Sequence, residues 1–345
     1  MSASISAEPH PTRPHDSESH DTEAHDTVAT QLLAAEQAGA LDLPLPGAGH
    51  TIERWHRLAQ LSFRDTVVGR LAEAHTDAVA ILAEITGRSI PNGSLWGVWA
   101  AQPPKPALDA TRRNGRWVLD GRKLWCSGAT MCTHALVTAL CDENWLLFEV
   151  DLRQPGVQPV PDTWHAVGMS ASDSGAVDFT AADAEAVGEA GDYIDRAGFW
   201  HGAIGVAACW YGSACGVAKV LHAAAARGRA DEHALAHLGS ITVALRGAAA
   251  ALETAAHAID GDPYDRGGQA RIRARATRAV VEQAASTTID RVGRALGAGP
   301  LCADPAHARR VADLTVYLRQ SHAERDLADL GRDVAEKDFT WWHNR

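Results

Sequence analysis

The 345-residue chain carries a formal net charge of −11, with 46% hydrophobic and 22% charged residues. That apolar content excludes a wholly disordered chain, and the length supports a core that needs no disulfide or metal staple. The acidic balance argues against non-specific nucleic-acid binding, which takes a clustered excess of Lys and Arg.

Residues 1–27 read as a disordered, solvated tail. Large apolar side chains are almost absent there, so nothing offsets the entropy of ordering. Six acids (Glu8, Asp16, Glu18, Asp21, Glu23, Asp26) face one base, Arg13, so nearly half of the net charge sits in this stretch. His10, His15, His20 and His25 recur every five residues. Such a rhythm could hold a divalent metal loosely, or be low-complexity sequence only. No basic stretch runs into an apolar one, so no secretory signal is expected. Six cysteines without a CxxC pair read as reduced thiols of a cytoplasmic protein.

Residues 28–92 carry a helical pattern. Leu32, Leu33, Leu58, Leu61, Val67, Val68, Leu71, Val79, Ile81 and Leu82 recur at three- and four-residue steps. Prolines at 44 and 46 split the stretch, and Pro91-Asn-Gly93 ends it. His75 within it reads as a surface or satisfied core residue, with a site role as the alternative.

From 93 to 190 the texture turns to strands. Short apolar runs at 95–100, 115–121, 123–127, 135–140, 145–150, 157–160 and 176–179 predict a mostly antiparallel sandwich or barrel. Asp120-Gly121 is expected to turn the chain between the second and third runs.

Residues 191–345 are helical again. Ala197–Ala218 holds no charged side chain and is long enough to cross a bilayer, but five glycines and His201 suit the buried centre of a bundle better. Further helices are predicted at 234–259, 272–296 and 305–330. The fold class is therefore α+β multidomain: an N-terminal helical domain, a central antiparallel β-sandwich or barrel domain, and a C-terminal four-helix bundle.

The run Arg116-Trp-Val-Leu-Asp-Gly-Arg-Lys-Leu-Trp-Cys-Ser-Gly-Ala129 resembles the central motif of the acyl-CoA dehydrogenase family, roughly G-W-x-L-N-G-x-K-x-W-I-T-N-G. Ala166-Val-Gly-Met-Ser-Ala-Ser-Asp-Ser-Gly-Ala-Val-Asp-Phe179 is similar to its LGMRxSxxxxxxF strand pair. The three-part layout resembles the family over about residues 28–330. Flavin-dependent group D monooxygenases share that fold.

The resemblance implies an FAD-dependent oxidoreductase that forms a homodimer or homotetramer. On a strand, Trp125 and Ser127 point to one face. The resemblance implies that they pack against the flavin ring and bond its polar edge; core packing of Trp125 is the alternative. The family's Y-x-x-T-E-P corresponds to Trp99-Ala-Ala-Gln102-Pro-Pro104, which makes Trp99 and Gln102 candidates. The Gly-Ser-Asp that follows in the family has no counterpart. Arg227 and Arg229 fall near the family's pyrophosphate arginine, and Arg294 and Gly297 near its ADP-binding turn. Each of these arginines reads equally as a solvated helix charge.

Removing an α-proton from a thioester takes a carboxylate. Where the family supplies its glutamate, this chain offers Gln320, Ser321 and His322, with Glu324 two residues on. His201 lies near the alternative position on the first bundle helix. Three readings follow. One is a dehydrogenase acting on the CH–CH group of a CoA or carrier-protein thioester, using His322, Glu324 or His201 and an electron acceptor. Another is a two-component monooxygenase fed by a flavin reductase. The third is a non-catalytic assembly subunit. No nucleic-acid or membrane partner is expected. Tryptophans 96, 99, 117, 125, 145 and 164 could line a ring-binding pocket or simply a core.

Overall fold

The computed structural model describes residues 17–102 and 108–336, with side chains from Thr27 onward. Helix α1 (Ser17–Gln37) begins within the stretch expected to be tail. His10, His15 and loop residues 103–107 lie outside the described residues.

Helices α2 (Thr51–Arg64) and α3 (Thr66–Thr86) are separated by Asp65 alone. Its backbone is extended (φ −148°, ψ 124°), and its carboxylate accepts the amides of Val67 and Val68. One side chain thus ends the first helix and caps the second, a contribution of about 1 kcal/mol. Gly87 stops α3 in the left-handed region at φ 68°. His75 is buried, and its Nδ1 accepts the Trp96 amide at 3.3 Å. Burial lowers its pKa to about 4, so it is a neutral, satisfied core residue.

Among the described residues seven strands follow: β1 (Trp96–Trp99), β2 (Asp109–Arg113), β3 (Arg116–Lys123), β4 (His134–Cys141), β5 (Asn144–Asp151), β6 (Val157–Val160) and β7 (Ala176–Ala186). Their order is β1-β4-β2-β3-β7-β5, and β5 pairs back to β4, so the sheet closes into a barrel. Closure pairs the ring strands on both sides and leaves the four-residue β1 and β6 with one partner strand each. All pairings are antiparallel except β1 and β2 on β4.

The expected turn at Asp120-Gly121 is absent. Strand β3 runs through it, and a register shift against β7 between Leu119 and Gly121 absorbs the glycine as a bulge. The expected strand at 123–127 is absent too. The chain leaves the sheet after Lys123, and Trp125 takes a left-handed φ of 59°.

The bundle comprises α5 (Ala197–Ala226), α6 (Glu232–Gly261), α7 (Ala270–Leu296) and α9 (Pro305–Tyr317), with short helices α4 (Asp192–Asp195), α8 (Gly299–Ala303) and α10 (Glu324–Ala335). The single helix expected over 305–330 is broken at 318–323, where Ala323 adopts φ 49°. Helices α5 and α6 are both long and apolar enough to cross a membrane, but 67% of that stretch of α5 is buried against 17% for α6. Helix α5 is thus the central core helix. Small residues let neighbours close on it: a Cβ at Gly212 would overlap the Ala59 carbonyl of α2.

The N-terminal helices and the bundle share one apolar core, containing Trp55, Leu58, Ile204 and Trp210. The barrel fills its own with Trp99, Leu119, Phe148 and Phe179. A third cluster, with Ile81, Trp96, Leu136 and Leu147, joins α3 to the barrel. Each fully buried large aliphatic contributes roughly 1.5–3 kcal/mol. All six cysteines are free thiols.

Candidate functional site

A cavity of about 1180 Å³ opens where the three parts meet. That exceeds the roughly 300–1,000 Å³ of most small-molecule sites, enough for a ring cofactor and a substrate together. Helix α3 contributes Glu73 and Asp77. The end of β1 contributes Ala100, Ala101 and Gln102, and the loop after β3 contributes Trp125. Helices α4 and α5 add Tyr193, Arg196, Phe199 and Trp200; α7 adds Arg275, Arg278 and Glu282. The break between α9 and α10 adds Arg319, His322, Glu324 and Asp326.

Local geometry fixes these groups. The Trp99 indole is buried in the barrel, and its Nε1 donates to the Ser127 carbonyl at 3.0 Å. That bond holds the loop from which Trp125 stands 54% exposed. Arg278 donates from Nη1 to the Ala203 carbonyl (2.6 Å) and from Nη2 to the Gln320 carbonyl (3.3 Å), and its guanidinium lies 4.6 Å from the Trp210 ring centroid. One side chain thereby ties α7 to α5 and to the helix break. Arg275 bonds Asp329 at 3.1 Å and also pairs with Asp333, fixing α10 against α7.

The electrostatics are unusual for a surface opening. Glu73 is 5% exposed, and burial pushes its pKa up to about 7 even though Arg70 lies 3.1 Å away. Burial also raises Asp77, whose Oδ1 makes no hydrogen bond. At the mouth, Asp326 accepts the backbone amide of His322 at 2.9 Å and sits 3.2 Å from its Nδ1. The carboxylate holds the imidazole and fixes which nitrogen is engaged. Glu324 is exposed and makes no ion pair among the described residues.

Of the eleven candidates from sequence, the cavity gathers Gln102, Trp125, His322 and Glu324. The others sit elsewhere, for definite reasons. His201 is 2% exposed, and its Nε2 bonds the Pro263 carbonyl at 3.0 Å, so it anchors α5 to the loop before α7. Trp99 packs in the barrel core. Ser127 is not on a strand and does not share a face with Trp125. It is buried, its Oγ lies 2.8 Å from Ser174 Oγ, and Ser174 lies 2.8 Å from Ser172 Oγ. Arg227 and Arg229 are exposed at the end of α5. Arg294 is 64% exposed and pairs with Asp290, and Gly297 is an exposed helix terminus at φ 63°. Sequence reasoning missed Glu73, Asp77, Arg196 and Arg278. For Glu73 and Asp77 the one sequence signal was charge inside an otherwise apolar helical stretch; Arg196, before α5, and Arg278, in an arginine-rich helix, carried none.

Residues 101–182 match the family described as acyl-CoA dehydrogenase, middle domain. A search of curated proteins finds no match. Among solved structures, the indole-bound TdsC of Paenibacillus sp. A11-2, a dibenzothiophene monooxygenase also solved with FMN, superposes with TM-score 0.75 at 18% identity, over 95% of this chain and 98% of that one. Methanesulfinate monooxygenase MsuC of Pseudomonas fluorescens gives 0.72 at 17% identity, over 93% and 97%. Nitrososynthase of Micromonospora carbonacea var. africana gives 0.72 at 17%, over 94% and 98%. The chain therefore has the acyl-CoA dehydrogenase fold over nearly its whole described length, including the motif segment that resembles that family.

Proposed function

We propose, from a chain that carries an acyl-CoA dehydrogenase middle domain within that fold, that it is a flavin-dependent oxidoreductase of the two-component monooxygenase type. In this reading a separate reductase supplies reduced flavin, and the protein acts on a small polar substrate. The observation that carries the reading is the charged lining of the cavity. A fatty acyl chain suits an apolar channel, because charged walls lose water when it enters. Here Glu73, Asp77, Arg275, Arg278, Arg319 and Asp326 line the space.

The residues present fit a flavin. The Trp125 indole offers an exposed flat apolar face, and the Gln102 amide can donate to the polar edge of the ring. We take the flavin to be FMN rather than FAD. The FMN bound in TdsC supports the same choice. Bound flavin would supply a ring that exchanges electrons with the substrate or with dioxygen. Asp326 holds the His322 imidazole through Nδ1, which leaves Nε2 to hold or release a proton. Trp125, Phe199 and Trp200 put apolar ring surface on the same space.

Glu324 supports a second reading. It is a carboxylate on the cavity without an ion pair, so thioester dehydrogenation would place the α-proton there. A homodimer or homotetramer is part of the proposal, supported by the largely exposed apolar α6, where Val243 is 75% exposed.

Oxidation of reduced FMN by dioxygen, followed by stopped-flow absorbance, tests the choice. The monooxygenase reading expects the protein to change the rate and spectrum of that oxidation relative to free FMN, and expects octanoyl-CoA not to bleach bound flavin anaerobically. Anaerobic bleaching by the thioester would establish the dehydrogenase reading instead.

A further inference from the structure

The break between α9 and α10 carries no glycine or proline, yet Ala323 in it holds φ 49°, a conformation that costs an L-residue energy. Something must hold the segment in place. Two braces lie within it: Ser321 Oγ accepts the Ala323 amide at 3.1 Å, and Asp326 accepts the His322 amide at 2.9 Å. The third comes from another helix. Arg278 of α7, 42 residues before Gln320, donates to the Gln320 carbonyl from Nη2.

Arg278 differs from its neighbours on the cavity wall. Arg196 pairs with Glu84, Arg275 with Asp329 and Arg319 with Glu282. Arg278 forms no ion pair among the described residues, and its two Nη atoms go to the main-chain carbonyls of Ala203 and Gln320. Its flat face lies on the Trp210 ring. That ring meets Tyr317, the last residue of α9, edge-on with centroids 6.1 Å apart. Burial lowers the Arg278 pKa, and Asp326 of α10, Tyr317 of α9 and Glu73 of α3 oppose this, Asp326 most strongly. Arg278 therefore touches the end of α9 and the middle of the break, and faces the carboxylate that holds His322.

We infer that Arg278 is a positioning residue for His322: its fork and flat face hold the break in the shape that presents the imidazole to the cavity, and its charge acts through Asp326 on the protonation of that ring. A fixed positive charge facing Asp326 offsets part of the pull that this carboxylate exerts on a protonated imidazole. Lysine cannot do both jobs, because a single ammonium does not span two carbonyls and stack on an indole together. The other charges around the break are Glu324 of α10, Arg319, and Glu282 of α7, and the last two pair with each other at 2.9 Å. This inference rests on His322 serving the oxidoreductase proposed above.

Ring-carbon NMR of the full chain with isotope-labelled histidine tests it, the His322 signal being the one lost in His322→Ala. Arg278→Met is expected to move the midpoint of the His322 titration to higher pH by at least about half a unit, because the charge opposing an imidazolium is gone. Arg278→Lys keeps the charge and is expected to stay within about 0.2 units of wild type. It loses the fork, so hydrogen exchange of the peptide spanning 318–327 is expected to be at least about fivefold faster than in wild type. Circular dichroism checks that each variant is folded, and the exchange rate in Arg278→Lys decides the matter should Arg278→Met not fold. An unmoved midpoint in folded Arg278→Met, or unchanged exchange in Arg278→Lys, would overturn the inference. FMN titration of the wild-type chain separates the two proposals. Flavin binding with an unmoved His322 midpoint sinks the role of Arg278 alone; a moved midpoint without flavin binding sinks the oxidoreductase reading alone.

Discussion

Asp313 of α9 accepts a 2.5 Å hydrogen bond from the backbone amide of Met169, which lies 144 residues earlier in the loop before β7. Met169 holds φ 60°, its carbonyl accepts from Trp164 Nε1 at 2.8 Å, and a Cβ on the adjacent Gly168 would overlap the Ala312 carbonyl. A single buried carboxylate thus locks the barrel to the bundle.

Burial raises the Asp313 pKa from 3.8 to about 6. The native state therefore holds this proton where the unfolded chain has released it. The associated stability is full below about pH 4 and is lost as pH rises through about 6. Thermal unfolding should show wild type losing stability between about pH 4 and pH 6 more steeply than Asp313→Asn, which cannot titrate. Equal slopes would show that Asp313 does not carry the effect.

Trp125 is half exposed in a loop and contributes little packing, so its replacement separates binding from folding. Trp125→Ala should lower flavin affinity by about tenfold or more, read by fluorescence quenching of FMN, while changing unfolding free energy by no more than about 0.5 kcal/mol. Unchanged flavin affinity would remove Trp125 from the site.

Exchanges at the break between α9 and α10 separate the two chemistries. His322→Ala should reduce turnover by about 10²-fold or more, and Asp326→Asn should do so in part, because it only positions the ring. Glu324→Gln should keep turnover under the monooxygenase reading and abolish it under the dehydrogenase reading. Product formation under steady-state conditions reads all three.

Arg227→Ala and Arg229→Ala should leave FMN affinity unchanged, since both side chains are exposed at the far end of α5. A loss of more than about tenfold by fluorescence titration would show that the flavin extends to that end.

The β domain was legible because its strands are short apolar runs and its motif is local: Arg116–Ala129 and Ala166–Phe179 each carry their own pattern. The bend at Trp125 was not, because a bulged strand and a strand–turn–strand have the same composition around Gly121. Nor was the break at Ala323, where no glycine or proline marks the stop. That His201 and Ser127 lie off the cavity was not legible either, because an apolar helix and a small-residue loop do not say which way a polar group faces. The acids of α3 were missed for a related reason. Glu73 and Asp77 look like ordinary helix charges until the α5 glycines, 125 or more residues later, bring a helix over them.

The central claim is that this chain binds a flavin in the cavity between barrel and bundle. Equilibrium titration of the full chain with FMN and with FAD, followed by the visible absorbance of the protein-bound fraction, tests it most directly. The account predicts saturable binding of about one FMN per chain in the micromolar range, weakened by Trp125→Ala and untouched by Arg227→Ala. Absence of saturable binding of either flavin, oxidised or reduced, would contradict it.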